Sequence, residues 1–424
     1  MGMALAERLS AAGHEVHVIE RADQPGGLAT WQDFGPFVWD RFYHVILPSD
    51  LALVGFLRRI GLGERLQWRG SRTGYYVDGK LWSLSNAWEF LRFPLLGPWN
   101  KLRLAWTVFR CSRLSDWRPL ERVTVEEFLV RLSGRSTFEK FWKPLLLAKL
   151  GEHYRRVSAV FIWTYVKRLF SARDPATQKE QLGYVSGGYR TVFQALERRI
   201  AAAGGRVTTG VDVTSVELDA SGLVRVAVPS GHELYDRVVF TGPASVMRRI
   251  VSPALVDAPA GTGVEYLGVV CLVLVTRRPV VPFYVVNISD EAVPFTGVIG
   301  MSSIVGTEET AGLHLTYCPK YVLSSDAMLR RPDEELLDRF MTGFARMFPG
   351  FSRDDVVSAR IQRADRVQPL QVKGYSGIVQ APRTRSDRFF VVNTAQFVHS
   401  TLNNNEVIAA VDSFLERFAA EFPT

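Results

Sequence analysis

Apolar residues recur at helical spacing at the start of the chain, at Met3, Ala4, Leu5, Leu9 and Ala12, and the pattern stops at Gly13. His14-Glu15-Val16-His17-Val18-Ile19-Glu20 then reads as a short β-branched strand ending in an acid. Helical period returns over 51–60, with Ser49 or Asp50 as the expected cap, and 75–83 reads as a hairpin turning at Asp78-Gly79. Further helical patterns occupy 123–132, 136–149 and 336–348, the last opened by Pro332-Asp333-Glu334-Glu335 and stopped by Pro349-Gly350. A strand is predicted over 206–217, followed by a small hairpin layer from 224–228 and 232–240. Long β-branched runs predict strands over 266–277, 283–288, 297–305 and 313–319, a sheet with one face over a pocket. At the end, 388–396 is a strand running into a polar turn, and 407–418 is an apolar-periodic helix.

The stretch 86–113 departs from these patterns, because large apolar residues alternate with cations. Trp88, Phe90, Leu91, Phe93, Trp99, Leu102, Trp106 and Phe109 are interleaved with Arg92, Lys101, Arg103, Arg110 and Arg113. The default reading is a buried helical pair with snorkelling arginines, since such a stripe usually faces a core. The alternative is peripheral membrane contact, with rings at headgroup depth and arginines on phosphate.

Composition narrows the classes. At 424 residues, 47% hydrophobic and 22% charged, the chain is a folded protein for which two domains are the natural expectation. Cys111, Cys271 and Cys318 are far apart and form no C-x-x-C, which suggests reduced thiols in a cytoplasmic setting, with a position on the inner face of the membrane as the peripheral variant. No signal peptide or uncharged apolar run of membrane-spanning length is visible. The net charge of +8 comes from dispersed residues, so no nucleic-acid partner is expected. The seven histidines show no metal-ligand spacing, and no phosphate loop or nucleophile elbow occurs, so no metal is expected. Paired carboxylates such as Glu334/Glu335 read as solvated helix starts rather than acid–base machinery.

What remains is a dinucleotide site. Helix, glycine turn, strand and terminal acid form the second half of a βαβ unit, in which the acid hydrogen-bonds the adenosine ribose. Glu20 lies eighteen residues after Gly2, close to the spacing of about 20 in that fingerprint. The preceding strand and G-x-G-x-x-G are missing, and Gly2 stands where the last glycine of the motif would be. This reads as a start placed too late or a shortened chain. After Glu20-Arg21, a polar turn leads to Gly26-Gly27-Leu28-Ala29, where glycines let backbone approach a ligand.

This stretch resembles the flavin amine oxidase superfamily, which includes protoporphyrinogen oxidases, carotenoid desaturases and UDP-galactopyranose mutases. Three later stretches carry the resemblance in the same order. They are Trp142-Lys143-Pro144-Leu145-Leu146-Leu147-Ala148-Lys149-Leu150-Gly151, then Gly183-Tyr184-Val185-Ser186-Gly187-Gly188-Tyr189-Arg190, then 388–406 with its Thr401-Leu402-Asn403-Asn404-Asn405-Glu406 turn. The resemblance implies an α/β fold: a Rossmann-type FAD-binding domain (first strand missing) with an inserted substrate domain of helices and a mixed sheet. The FAD domain would be discontinuous, from 1–50, 180–245 and 365–424, with 51–179 and 246–364 as the substrate-binding domain. Gly2, Glu20, Arg21, Gly26, Gly27 and Leu28 would face the cofactor, and Val213 would lay its backbone against the adenine. Asn393, Thr394, Ala395 and Gln396 would lie near the pyrophosphate, although an acid is usual near Asn393. Asn404 and Asn405 would start a helix near the ring; Tyr43 and His44 are the candidate catalytic residues, His44 reading equally well as a histidine in an aromatic core.

The expected function is an FAD-dependent oxidoreductase removing hydride from a lipophilic small molecule. The alternatives are a flavin-dependent sugar-nucleotide mutase, whose diphosphate grip would come from Arg277/Arg278, Arg363 or Arg366, and a cofactor-free remnant.

Overall fold

The apolar stripe at the start of the chain folds as α1 (Gly2–Ala11), which buries Met3, Ala4, Leu5 and Ala6 against the helix Gly188–Ala202. The computed structural model describes residues 1–171, 181–256 and 263–422, so the boundary expected at 179/180 lies outside the described residues. Glu7 is also on the inner face of α1, and its buried carboxylate accepts from Arg59 Nη1 at 2.8 Å and Arg199 Nε at 2.9 Å. These two arginines come from α2 (Leu51–Arg59) and from Gly188–Ala202, so one acid ties three helices together. Asp50 precedes α2 without capping it; its carboxylate accepts Leu47 N–H at 2.8 Å and a bidentate pair from Arg168.

Behind α1, His17–Ile19 pairs in parallel with Arg206–Thr208, and Val238–Phe240 pairs in parallel with Phe389–Val391. Among the described residues no strand joins these two pairs, and a cavity of about 990 Å³ lined by residues of both lies between them. The strand expected over 206–217 is interrupted: Gly210 takes φ 71°, and the chain resumes as Ser215–Leu218. That segment joins Val224–Val228 and Gly231–Tyr235 in a three-stranded layer. Val238–Phe240, expected in the same layer, instead pairs beside Phe389–Val391.

The second sheet has seven strands in the order Val356–Pro369, Tyr266–Thr276, His314–Leu323, Gly297–Gly300, Val285–Ile288, Thr73–Val77 and Lys80–Ser83. Tyr266–Thr276 is buried along its whole length because both of its faces are covered. Val270, Leu272 and Leu274 face the helix Asp333–Met347, whereas Val269, Cys271, Val273 and Val275 face Phe34, Phe37 and Trp39 from the loop after Gly27. The Asp78-Gly79 turn forms as expected, with φ 51° and 70°. The predicted strand over 297–305 ends at Gly300, where a Cβ would sit 2.4 Å from Phe283 O, and a 3-10 turn follows. Val356–Pro369 escaped prediction because it is an edge strand carrying arginines and glutamines, without apolar alternation.

The helices between Pro98 and Ser171 pack around Leu129, Phe138, Trp142, Tyr154 and Trp163. Thr124 and Glu127 form a capping box at the start of Val125–Thr137. The expectation of a buried pair over 86–113 is corrected here. In α3 (Ala87–Arg92) and α4 (Pro98–Arg113), Leu104, Thr107 and Cys111 turn inward, while Trp88, Leu91, Trp99, Leu102, Trp106 and Phe109 are exposed. The helix period leaves two apolar stripes on α4, and the core is large enough to cover only one. Among the described residues no helix is long and apolar enough to cross a membrane.

Candidate functional site

Gly2, at the start of α1, lines the cavity between the two strand pairs together with Leu5, Ala6 and Leu9 of the same helix. The first turn of a helix carries N–H groups without intrahelical partners and the positive end of its dipole, which suit an anion. A Cβ on Gly2 would lie 3.1 Å from Thr241 Oγ1. Glu20 closes the adjacent strand; its backbone N–H donates to Thr208 O at 2.9 Å, and Oε1 accepts from Ala22 N–H at 2.9 Å. The Ala22 N–H thereby orients the carboxylate, which lines the cavity. Arg21, Gly27, Val213, Gly242 and Pro243 line the same cavity, so five of the expected cofactor residues (Gly2, Glu20, Arg21, Gly27, Val213) converge.

Gly26 and Leu28 flank that set. Gly26 takes φ 124°, and a Cβ on it would come within 2.9 Å of the Phe193 ring. Gly27 has open space where a Cβ would be, which is the cradle a bound diphosphate or ribose needs. Leu28 packs against the aromatic cluster beneath the second sheet. The helix start at Gly2, the bare glycine at 27 and the strand-end acid Glu20 around one cavity therefore fit a dinucleotide.

The C-terminal residues are placed differently. Asn393 Oδ1 accepts Ala395 N–H at 3.0 Å and its Nδ2 donates to Gly242 O at 3.0 Å, so it joins the Thr394-Ala395-Gln396 turn to the cavity wall. Gln396 completes the box by accepting Asn393 N–H and donating to Gln380 O and Val391 O. Both side chains are committed to shaping the turn, and Ala395 is buried. At the helix Asn404–Phe418, Asn403 is the cap, accepting Glu406 N–H at 3.0 Å. Asn405 accepts Leu53 N–H at 3.1 Å, joining this helix to α2. The three asparagines do not line the cavity.

A second centre lies where the loop after Gly27 meets the second sheet. Asp40 is buried at the start of Gly188–Ala202, its Oδ1 accepting Tyr189 N–H at 2.8 Å. Gly188, at φ 68°, is required there, because a Cβ would lie 2.8 Å from that oxygen. Burial pushes the Asp40 carboxyl up to about 7, against the pull of the Tyr189 N–H. His44 packs on the Tyr189 ring and donates Nδ1–H to Phe42 O at 2.9 Å; burial pushes it down to about 4. His44 thus sits neutral within an aromatic core.

Tyr43 Oη lies 2.6 Å from Tyr321 Oη, and burial holds both phenols protonated. The half-buried Lys149 lies beside them, its Nζ 4.1 Å from the Tyr165 ring centroid, 5.0 Å from that of Tyr321, and hydrogen-bonded to Tyr165 Oη. Burial works against its charge, but the electron-rich phenols outweigh it and hold the ammonium above the ordinary lysine range. Its recorded partners are tyrosines, not carboxylates. Sequence reasoning quoted Lys149 in a motif without giving it a role, and it passed over Asp40. Both follow apolar or aromatic runs and acquire their chemistry only from segments far away in the chain.

A family model for flavin-containing amine oxidoreductases matches residues 2–376. AofH from Mycobacterium tuberculosis, a candidate flavin-containing monoamine oxidase, is 25% identical over 268 residues, 55% of this chain and 56% of the relative. The chain thus spans about half the length of the curated relatives it matches. A candidate protoporphyrinogen oxidase from Exiguobacterium sp. 255-15 has a similar structure, with TM-score 0.75 and 14% identity, covering 99% of this chain and 96% of that one. Reduced UDP-galactopyranose mutase gives TM-score 0.72 at 13% identity, covering 99% and 92%. These likenesses carry the fold, a mixed α/β architecture shared by oxidases and mutases. The extent of the family match decides the rest: this chain belongs to the flavin-containing amine oxidoreductase family.

Proposed function

We propose that the chain is an FAD-dependent oxidoreductase acting on an apolar small molecule. The observation that carries this reading is the single cavity ringed by α1, Gly2, Gly27, Glu20 and Val213, whose donors and acceptor suit a diphosphate and an adenosine ribose. FAD, when bound, accepts a hydride from a C–H bond, including one on the carbon next to an amine nitrogen. The start of α1 would hold the diphosphate, the Glu20 carboxylate would accept a ribose hydroxyl, and the Val213 backbone would lie along the adenine.

The reacting end of the substrate would lie at Tyr43, Tyr321 and Lys149. The buried Tyr317, the partly buried Tyr43 and Tyr321 and the strand Tyr266–Thr276 surround this point with apolar surface, which supports a lipophilic substrate. Tyr43 and Tyr321 keep their protons and orient a ligand by hydrogen bonds, and Lys149 Nζ supplies positive charge where electron density accumulates. The mutase reading loses support from its arginines. Arg277 donates to Asp354 O, Arg278 pairs with Asp355, and Arg363 bonds Asp333 and Arg331 O, so three of the four are held by their own protein.

The test is the visible spectrum of the purified chain, identification of the cofactor released on denaturation, and anaerobic bleaching by apolar substrates, amines and UDP-sugars in parallel. Stoichiometric FAD bleached by an apolar donor is the expected result. A colourless chain that takes up no added FAD would remove the proposal, and turnover of a UDP-sugar without net redox change would replace it with the mutase.

A further inference from the structure

We infer that α3 and α4 form a docking surface for an anionic phospholipid bilayer. α4 carries two apolar stripes. Leu104, Thr107 and Cys111 are buried in the helical cluster, whereas Trp99, Leu102, Trp106 and Phe109, at i, i+3, i+7 and i+10, face outward at 65%, 63%, 53% and 46% exposure. Trp88 and Leu91 of α3 extend this stripe. An isolated exposed apolar residue needs no explanation, but six of them on two consecutive helices mark an interaction surface.

The cations decide what covers it. Four arginines stack on rings about one helical turn before them, each at i, i+4: Arg92 on Trp88 at 4.7 Å, Arg103 on Trp99 at 5.5 Å, Arg110 on Trp106 at 5.8 Å and Arg113 on Phe109 at 5.3 Å. Residues 86–113 hold five Lys and Arg against one acid, Glu89. That carboxylate is already engaged by Ser83 Oγ and Ser85 N–H, both at 2.7 Å. A second copy would bring the same arginines face to face, and a protein partner would have to supply a matching acidic surface. A bilayer headgroup layer takes the opposite pattern, with indoles at the interface and guanidinium groups on phosphate. The exposed stripe of α4 covers about 15 Å along the helix at 1.5 Å per residue, so it lies in the surface rather than through it.

Flotation of the full chain with vesicles of phosphatidylcholine plus phosphatidylglycerol, against phosphatidylcholine alone, tests the inference without reference to cofactor or turnover. The wild type is expected to float with the anionic vesicles and to be released by salt. The double variant Trp99→Ser/Trp106→Ser should lose at least about tenfold in partition while keeping its melting temperature, because both rings are exposed. Arg110→Glu/Arg113→Glu should abolish the preference for anionic lipid. The inference is overturned by a wild type that stays with the soluble fraction, by a serine variant that floats unchanged, or by sedimentation in which the chain self-associates through Trp99 and Trp106.

Discussion

Asp40 and His44 oppose one another in their effect on stability. Burial raises the Asp40 carboxyl from its ordinary 3.8 to about 7, so the folded chain keeps a proton that the unfolded chain has lost. Its contribution is fully present below about pH 4 and is lost as pH rises towards 7; the shift corresponds to about 4 kcal/mol. His44 is lowered from 6.5 to about 4, so the folded chain refuses a proton that the unfolded chain accepts. Its contribution is present above pH 6.5 and is lost as pH falls towards 4, about 3 kcal/mol. His44 Nδ1 lies 3.9 Å from Asp40 Oδ2, so the two titrate as a pair; between pH 4 and 6.5 their slopes oppose, and each single variant leaves the slope of the other group. Asp40→Asn keeps an acceptor for Tyr189 N–H but removes the titration. Relative to wild type, its stability is expected to fall by about 3 kcal/mol as pH drops from 6.5 to 4. His44→Phe should show the reverse, losing about 3 kcal/mol relative to wild type as pH rises from 4 to 6.5. Urea unfolding across this range reads both differences directly, since all other titrating groups are common to the three proteins. Unfolding midpoints of Asp40→Asn that run parallel to wild type across the range would refute the assignment.

Glu20→Ala should weaken FAD retention by about tenfold, the worth of a charge-assisted hydrogen bond to a ribose hydroxyl, and an unchanged dissociation constant by equilibrium dialysis would remove the ribose role. Glu7→Ala should cost about 2–3 kcal/mol of stability in urea, below the 3–5 of a fully buried ion pair because Arg59 and Arg199 are partly exposed and can rehydrate. Gly188→Ala should cost at least about 1–2 kcal/mol and shift the Asp40 titration with it, since the new Cβ presses on that carboxylate; thermal melts indistinguishable from wild type would contradict the close approach. Lys149→Met should leave FAD content unchanged but slow anaerobic bleaching by an apolar donor by about 10²-fold, and unaltered bleaching would take Lys149 out of the reacting end.

Much of this molecule is written in local pattern. The period of Met3, Leu5 and Leu9, the strand ending at Glu20, the Asp78-Gly79 turn and the β-branched run of Tyr266–Thr276 each follow from apolar spacing and turn chemistry, which act within a few residues. The convergence of Gly2, Glu20 and Gly27 on one cavity was legible too, because a βαβ unit brings residues close in sequence to one place. Periodicity could not say which of the two stripes of α4 is buried, since both obey the same helical spacing and only the volume of the core beneath decides. Nor could it reveal that Asn393 and Gln396 are spent on a turn, that Asp40 meets Tyr189 N–H, or that Lys149 meets Tyr165 and Tyr321. The Asp40 and Lys149 outcomes join segments 16 to 172 residues apart, and the 393–396 turn is fixed by Gly242, Gln380 and Val391 as well as by its own residues. Such partners are chosen by burial and by the need of each buried polar group to find a hydrogen bond, and that choice exists only once the chain is packed.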